Sequence, residues 1–383
     1  MSNPYPLAVY EVKTGRLPGW ANEPIMLTIP AGSVTGVLED FPVMVKLSGA
    51  SGKTAADVSK VFVALGSDAN RKRICVTADD GITPCYVEIK EWSTATQTAY
   101  LWVRVPRIDP GLDTHLYLYY DPAHAEMTDY VGDTASETAW NVWDNGWEFV
   151  GMKPSGGQLL DSTRNQNHGT IYGATEVDGP LGRCLSFDGV DDVVVIPDDA
   201  SLHLSSALTV ELFSKIWAPS SSFWDIFYWH DGAKVFTDSA RMALRFTAPT
   251  DRDANIMTAV RDPGNGPYHH AFTAGGGDMA AYFSGSVVGT RTYTPPIPTG
   301  TTGLSIGGRV GGIHATLMTP SFVALSSVAR SPAWIAATNL SLRDDLIVYS
   351  DPGAPLTLAA YVDAYEYLSW TRRYRRPGAW KCQ

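Results

Sequence analysis

The chain has 383 residues, 44% hydrophobic and 18% charged, with a formal net charge of −11. That length is a prior for two or three domains, and the apolar content is ample for packed cores. An acidic body lacks the basic face that tracks a phosphate backbone, so nucleic acid is not an expected partner. No run of about 18 apolar residues is present, so no transmembrane helix is expected.

The N-terminus, Met1-Ser-Asn-Pro-Tyr-Pro6, has neither a basic nor an apolar leader region, so it does not read as a secretory signal. Residues 1–18 read as an arm interrupted by Pro4, Pro6 and Pro18. From Trp20 onward strand patterns follow one another: Glu23–Ile29, Phe41–Leu47, Lys60–Leu65, Arg73–Thr77, Cys85–Ile89, Thr98–Val105 and Thr114–Tyr120. Phe41, Val43, Val45 and Leu47 alternate onto one face, as a half-buried strand requires. Regular strand spacing with almost no helical period predicts an antiparallel β-sandwich. Cys75 and Cys85 flank the turn Asp79-Asp80-Gly81, so they either pair across it or remain two buried thiols. No cysteine pair has zinc-site spacing with histidine, and no metal site is expected.

Several of these segments carry a resemblance. Asp40-Phe-Pro-Val-Met-Val45, the Asp79-Asp-Gly81 turn, Tyr86–Trp92, Leu101–Pro106 and Leu116–Tyr120 fall in order. Together they resemble a β-sandwich domain of unknown function that often precedes a laminin G-like domain in bacterial, archaeal and phage proteins. The polar stretch Met127 to Glu137 reads as the boundary. The expected division is an arm at 1–18, a sandwich at 19–136, a second domain at 137–348 and a tail at 349–383.

The second domain opens at Ala139–Val150. Cys184-Leu-Ser-Phe-Asp-Gly-Val-Asp-Asp-Val-Val-Val-Ile-Pro197 reads as a tight hairpin, with the strand Leu208–Lys215 after it. These residues resemble the start of a laminin G-like, concanavalin A-like lectin sandwich. The loop Asp161–Thr170, the strands Tyr268–Thr273 and Met279–Val288, Leu304–Gly308 and Val328–Ile335 extend that resemblance, with Ser284 where the family usually has Asp. The fold class is therefore all-β: two antiparallel sandwiches in series, the second a concanavalin A-like jelly roll.

The chemistry of hydrolysis is poorly represented. Glycosidases need two carboxylates flanking the scissile bond. The laminarinase-type run Glu-X-Asp-X-X-Glu is absent: Glu211 stands alone in its strand, and Glu176-Val-Asp178 lacks a second Glu. No catalytic residues are assigned. Paired acids, at Asp79-Asp80, Asp191-Asp192, Asp198-Asp199 and Asp344-Asp345, are hard oxygen ligands that suit calcium, but Asp is also a standard turn residue. No other cofactor is expected. His269 and His270 are adjacent on a strand and point to opposite faces, so they cannot easily chelate one ion; the resemblance implies a packing role there.

Sugar recognition has a positive signature. Ser221–Asp231 places Trp224, Tyr228, His230 and Asp231 in a short span, aromatic platforms beside hydroxyl-bonding groups. Asp251 and Asn255 sit in a polar loop that could rim such a site. The tail carries the basic cluster Arg372, Arg373, Arg375 and Arg376, at the end of a helix pattern at Tyr361–Tyr374. That cluster is either a solvated charged end or a docking element for an acidic neighbouring subunit.

These readings converge on a non-enzymatic virion protein of a phage, in a tail, baseplate or head appendage, made in the host cytoplasm and released by lysis. Its expected partners are neighbouring virion subunits, further copies of itself and host surface polysaccharide. The alternative is a bacterial extracellular carbohydrate-binding surface protein.

Overall fold

The computed structural model describes residues 16–216, 224–229, 233–237, 242–246, 255–258, 266–298, 303–309, 311 and 313–350. Among them no helix is long and apolar enough to cross a membrane.

The N-terminal domain is a sandwich of two four-stranded sheets. One sheet orders Val348–Tyr349, Ile25–Ile29, Thr114–Tyr120 and Ile74–Thr77, all antiparallel. The other orders Leu38–Leu47, Thr98–Ile108, Val87–Ser93 and Val131–Asp133, the last pair parallel. The alternating face read from the sequence is buried: Phe41, Val43, Val45 and Leu47 are fully enclosed.

One expectation in this domain changes, and one open alternative is resolved. Lys60–Leu65 is an α-helix, not a strand. Its buried residues are Val61, Phe62 and Leu65, a helical spacing, while Val63 points to solvent. Gly66 ends it in the left-handed conformation, donating to the Phe62 carbonyl as a C-cap. Cys75 and Cys85 are buried free thiols, and burial pushes both up to about 12, so neither is a ready nucleophile.

The second domain is one continuous sheet whose halves, joined where Trp147–Ser155 pairs with Gln158–Asp161, face each other as the two layers of a sandwich. One layer holds Trp147–Ser155, Leu317–Ser326, Ala207–Ile216, Tyr268–Gly275, Asp278–Phe283 and Ser286–Thr292. The other holds Gln158–Asp161, Gly169–Tyr172, Val193–Ile196, Leu304–Ile306, Trp224–Trp229, Ala233–Thr237, Met242–Phe246 and Asn255–Thr258. Leu208, Val210 and Leu212 from the first meet Ile306, Phe227 and Leu244 from the second in a common core.

The expected hairpin Cys184–Pro197 is instead a corner between layers. Gly182–Asp188 pairs with Thr175–Gly179 and with Leu317–Met318. Val193–Ile196 pairs with Thr170–Tyr172 and with Leu304–Ile306. The Asp-Gly turn signal is real but turns the chain across the core. Asp188 Oδ1 accepts from Val190 N and Asp192 Oδ2 from Asp188 N, each at 2.8 Å. Gly189, at φ +77°, passes so close to Leu317 that a Cβ there would sit 2.9 Å from the leucine Cβ.

The two sandwiches share a core. Trp102 of the first stacks 5.5 Å from Phe322 of the second and lies 5.1 Å from Trp143. The helix Pro332–Leu342, capped by Ser331 with Pro332 in its first turn, lies across the strand Leu38–Leu47. There Trp334 meets Phe41 edge-on at 4.8 Å, and Ser341 Oγ accepts from Met44 N at 2.8 Å. The chain then returns, as Val348–Tyr349, to complete the first domain's sheet.

Polar groups are buried in the same interface. Glu88 is fully enclosed and accepts from Thr134 Oγ1 at 2.6 Å, Ser162 Oγ at 2.7 Å and Trp143 Nε1 at 2.5 Å. Desolvation raises its carboxyl above the ordinary range against the pull of these donors. Lys90, pushed down to about 8 by burial, donates to the carbonyls of Leu181 and Arg183. Gly182 between them has φ +82° and lies against Glu91, where a side chain would collide with the carboxylate.

Candidate functional site

The interface occupies one outer face of the second sandwich. Phe213, Ala271, Tyr282 and Phe322 of the first layer belong to the core shared with the N-terminal domain. The outer face of the other layer lies on the far side of the core.

Sheet register builds a continuous row on that far face. Val195 pairs with Ser305, Ser305 with Tyr228, Tyr228 with Lys234, Lys234 with Arg245 and Arg245 with Asn255. The neighbouring row, Ile306, Phe227, Val235 and Leu244, packs into the core, so period-2 alternation sends Tyr228, Lys234 and Arg245 to the opposite side. A bulge between Asp225 and Phe227 brings Asp225 onto the outer side as well.

Asp225 anchors the row. It is 1% exposed, and its Oδ2 accepts from Arg309 Nε at 2.6 Å while Oδ1 lies 3.5 Å from Lys234 Nζ. Arg309 Cζ lies 4.0 Å from the centroid of the Tyr228 ring, a cation–π stack. Lys234 Nζ lies 5.1 Å from the Phe236 ring. Burial lowers the Lys234 ammonium's affinity for its proton; Asp225 opposes that, and the Arg309 and Arg245 cations reinforce it. Arg245 Nε is buried without a hydrogen-bond partner.

Among the residues expected to bind sugar, Tyr228 and Asn255 fall at positions of this row. Trp224 lies on the same strand as Tyr228, paired with Thr237. His230, Asp231 and Asp251 lie outside the described residues, as do Arg372, Arg373, Arg375 and Arg376. Lys234, Arg245 and Arg309 were not anticipated. They come from three separate segments: sheet register aligns Lys234 with Arg245, and Arg309 joins them through Asp225 and the Tyr228 ring.

Other candidates serve structure. Asp161, pushed up to about 6 by burial, accepts from the backbone of Val150, Thr163 and Asn167 and from Thr163 Oγ1, which holds its loop as an Asx-type cluster. The carboxylates of Asp188, Asp191 and Asp192 offer ligand atoms within 4.8 Å of one another, but two of them bond the corner's own backbone. Burial, then the neighbouring carboxylates, raises Asp192. His270 faces the core, driven down to about 3 by burial, and is a neutral packing residue. His269 points the other way, its Nε2 at 2.9 Å from Glu211 Oε2, so the acid that lacks a second carboxylate in its strand is paired with a buried imidazole. A cleft of about 580 Å³ beside Thr273, Asp278, Thr290 and Thr292 has no aromatic wall and so no stacking platform.

A lectin-type β-sandwich with a companion sandwich is the class these features define. Residues 188–336 match the family described as Concanavalin A-like lectin/glucanases superfamily, and residues 70–143 match a Domain of unknown function (DUF2341). The chain thus carries a concanavalin A-like domain of the laminin G type preceded by a domain of unknown function. No curated protein matches the chain. Among solved structures, the binding domain of Paraclostridial Mosquitocidal Protein 1 is similar at 13% identity and a TM-score of 0.46, over 51% of this chain and 52% of that one. The botulinum neurotoxin serotype D ligand binding domain, in complex with N-acetylneuraminic acid, is similar at 11% identity and a TM-score of 0.41, over 51% and 50%. The chain spans about half the length of these structures, and the likeness concerns the sandwich fold alone.

Proposed function

We propose that this protein is a non-enzymatic glycan-binding subunit of a phage particle, and that it contacts host surface polysaccharide through the outward row around Tyr228. The observation that carries the reading is the division of the second sandwich's outer faces. One is consumed by the shared core, and the other presents Tyr228, Lys234, Arg245 and Arg309 from a rigid sheet. Binding sites on strands hold their geometry better than sites on loops. The carboxylate on that face among the described residues, Asp225, is engaged by two cations. It is therefore poorly placed to act as the free acid and base that glycosidic hydrolysis needs.

The particle setting rests on the resemblance of the domain pair to modules of phage and bacterial surface proteins. The rigid junction supports it, since an appendage must transmit contact without a hinge. Two measurements test the proposal. Screening the full chain on an array of bacterial surface polysaccharides should give binding without release of reducing sugar, and mass spectrometry of purified particles should find the chain. An array without binding, or turnover of a bound glycan, would overturn the lectin role. Absence from particles, with the chain on a bacterial envelope, would favour the surface-protein alternative.

A further inference from the structure

The row around Tyr228 differs from a neutral-sugar platform in one respect. A neutral pyranose stacks its apolar face on a bare aromatic ring. Here the guanidinium of Arg309 already lies over the Tyr228 ring at 4.0 Å. Three cations, Lys234, Arg245 and Arg309, gather on this face, and Asp225 is the carboxylate that the described residues set against them. Among the described residues the local balance is two positive charges, on a protein whose net charge is −11. Like charges so close repel each other, and burial adds a desolvation cost. The side chains of Lys234 and Arg309 are only 13% and 27% exposed, so water compensates that cost incompletely.

Asp225 cannot satisfy all three. Its Oδ2 is taken by Arg309 Nε, and its Oδ1 reaches Lys234 only at 3.5 Å, without a hydrogen bond. Arg245, next along the row, has a buried Nε with no partner. Such a constellation is preorganised for an incoming anion. An arginine fork and an ammonium supply charge-assisted donors, and the anion relieves the repulsion between them.

We infer that this row selects an anionic sugar, one whose carboxylate or sulfate ester is received between Lys234, Arg245 and Arg309. The inference rests on the glycan-binding reading and deepens it. Arg309, held by Asp225 on one edge and by Tyr228 beneath, is the positioning element. Lys234 and Arg245 are the groups whose charge sets selectivity. The acidic remainder of the surface repels polyanions, so binding depends on the site rather than on general attraction.

The test is calorimetric titration of the full chain with three probes of related backbone: oligogalacturonate for the carboxylate, sulfated galactan oligomers for the sulfate ester and neutral galactan oligomers. One or both anionic probes should bind at least about tenfold more tightly than the neutral one, a preference weakened by salt. Lys234→Met and Arg245→Met should each weaken the anionic probe by roughly threefold to tenfold and so narrow its advantage over the neutral probe, whereas Arg245→Lys, which keeps the charge but not the fork, should recover part of the lost affinity. Thermal melts of each variant establish that it is folded. Preference for galacturonate or for the sulfated probe identifies which anion the geometry fits. Equal binding of charged and neutral probes, or neutral variants that keep the preference, would overturn the inference while leaving glycan binding intact. Failure of every probe, with the variants and parent alike, would overturn the inference and count against the glycan-binding reading, which the polysaccharide array judges separately.

Discussion

Replacing Glu88 with alanine is expected to destabilise the protein by about 3–5 kcal/mol, the range for removing one partner from a buried polar cluster. The carboxylate receives three donors from three segments: Thr134 at the domain junction, and Trp143 and Ser162 of the second domain. The two hydroxyls can rotate toward other acceptors, but the indole N–H of Trp143 is fixed in the packed core. Glu88→Gln keeps an acceptor oxygen and the side chain's shape, so it should cost about 1–2 kcal/mol at neutral pH. The comparison also carries a sign in pH. The folded-state carboxyl sits above its ordinary value of 4.5, so the native protein binds more protons than the unfolded chain just above that pH. Wild-type stability relative to Glu88→Gln should therefore fall as pH rises from about 4.5, and level off above the folded-state value. Urea denaturation of both proteins at several pH values measures this. A gap that widens in favour of wild type with rising pH would contradict the buried, raised carboxyl.

The second large effect concerns the junction as a whole. The two sandwiches should unfold in one cooperative transition, and neither should form a stable domain when expressed alone. Residues 137–350 on their own would expose Phe322, Phe213 and the face of Trp143 that meets Trp102. Residues 16–136 would lose both the edge strand Val348–Tyr349 and the helix that covers Phe41 and Met44. Within the full chain, Trp102→Ala should cost about 3–5 kcal/mol, as truncation of a buried large aromatic does. It should lower the midpoint of both domains together. Differential scanning calorimetry resolves the point: two separable transitions, with only one moved by the substitution, would show that the domains are independent.

Much of this architecture was legible in the sequence. Alternation at Phe41–Leu47 located a strand that the structure retains, because a buried face imposes period 2, and the β-former runs at Thr98–Val105 and Thr114–Tyr120 located two more. Other features misled. Lys60–Leu65 is rich in β-formers, yet the chain coils there because Gly66 caps a single turn and only three side chains need cover. The signal was the glycine after the run. Ser331 and Pro332 likewise mark the start of the helix at Pro332–Leu342 as N-cap and first-turn residue. The Asp188-Gly189 turn was visible, but whether a turn folds a strand back or carries it across a core depends on distant partners, here Leu317 and Ile306. The site divides the same way. Aromatic density flagged Tyr228, whereas Lys234, Arg245 and Arg309 are ordinary cations in the sequence until register aligns the first two and Asp225 draws in the third.

The most direct test of the account is a hydrogen-exchange footprint of the full chain with and without a glycan it binds. Slowed exchange should concentrate in segments 225–229, 233–237, 242–246 and 304–309, with the Tyr228→Ala variant losing both the footprint and the affinity. Protection that falls instead beside Thr273 and Thr290, or on the N-terminal sandwich, would contradict the assignment of the outward row as the binding face.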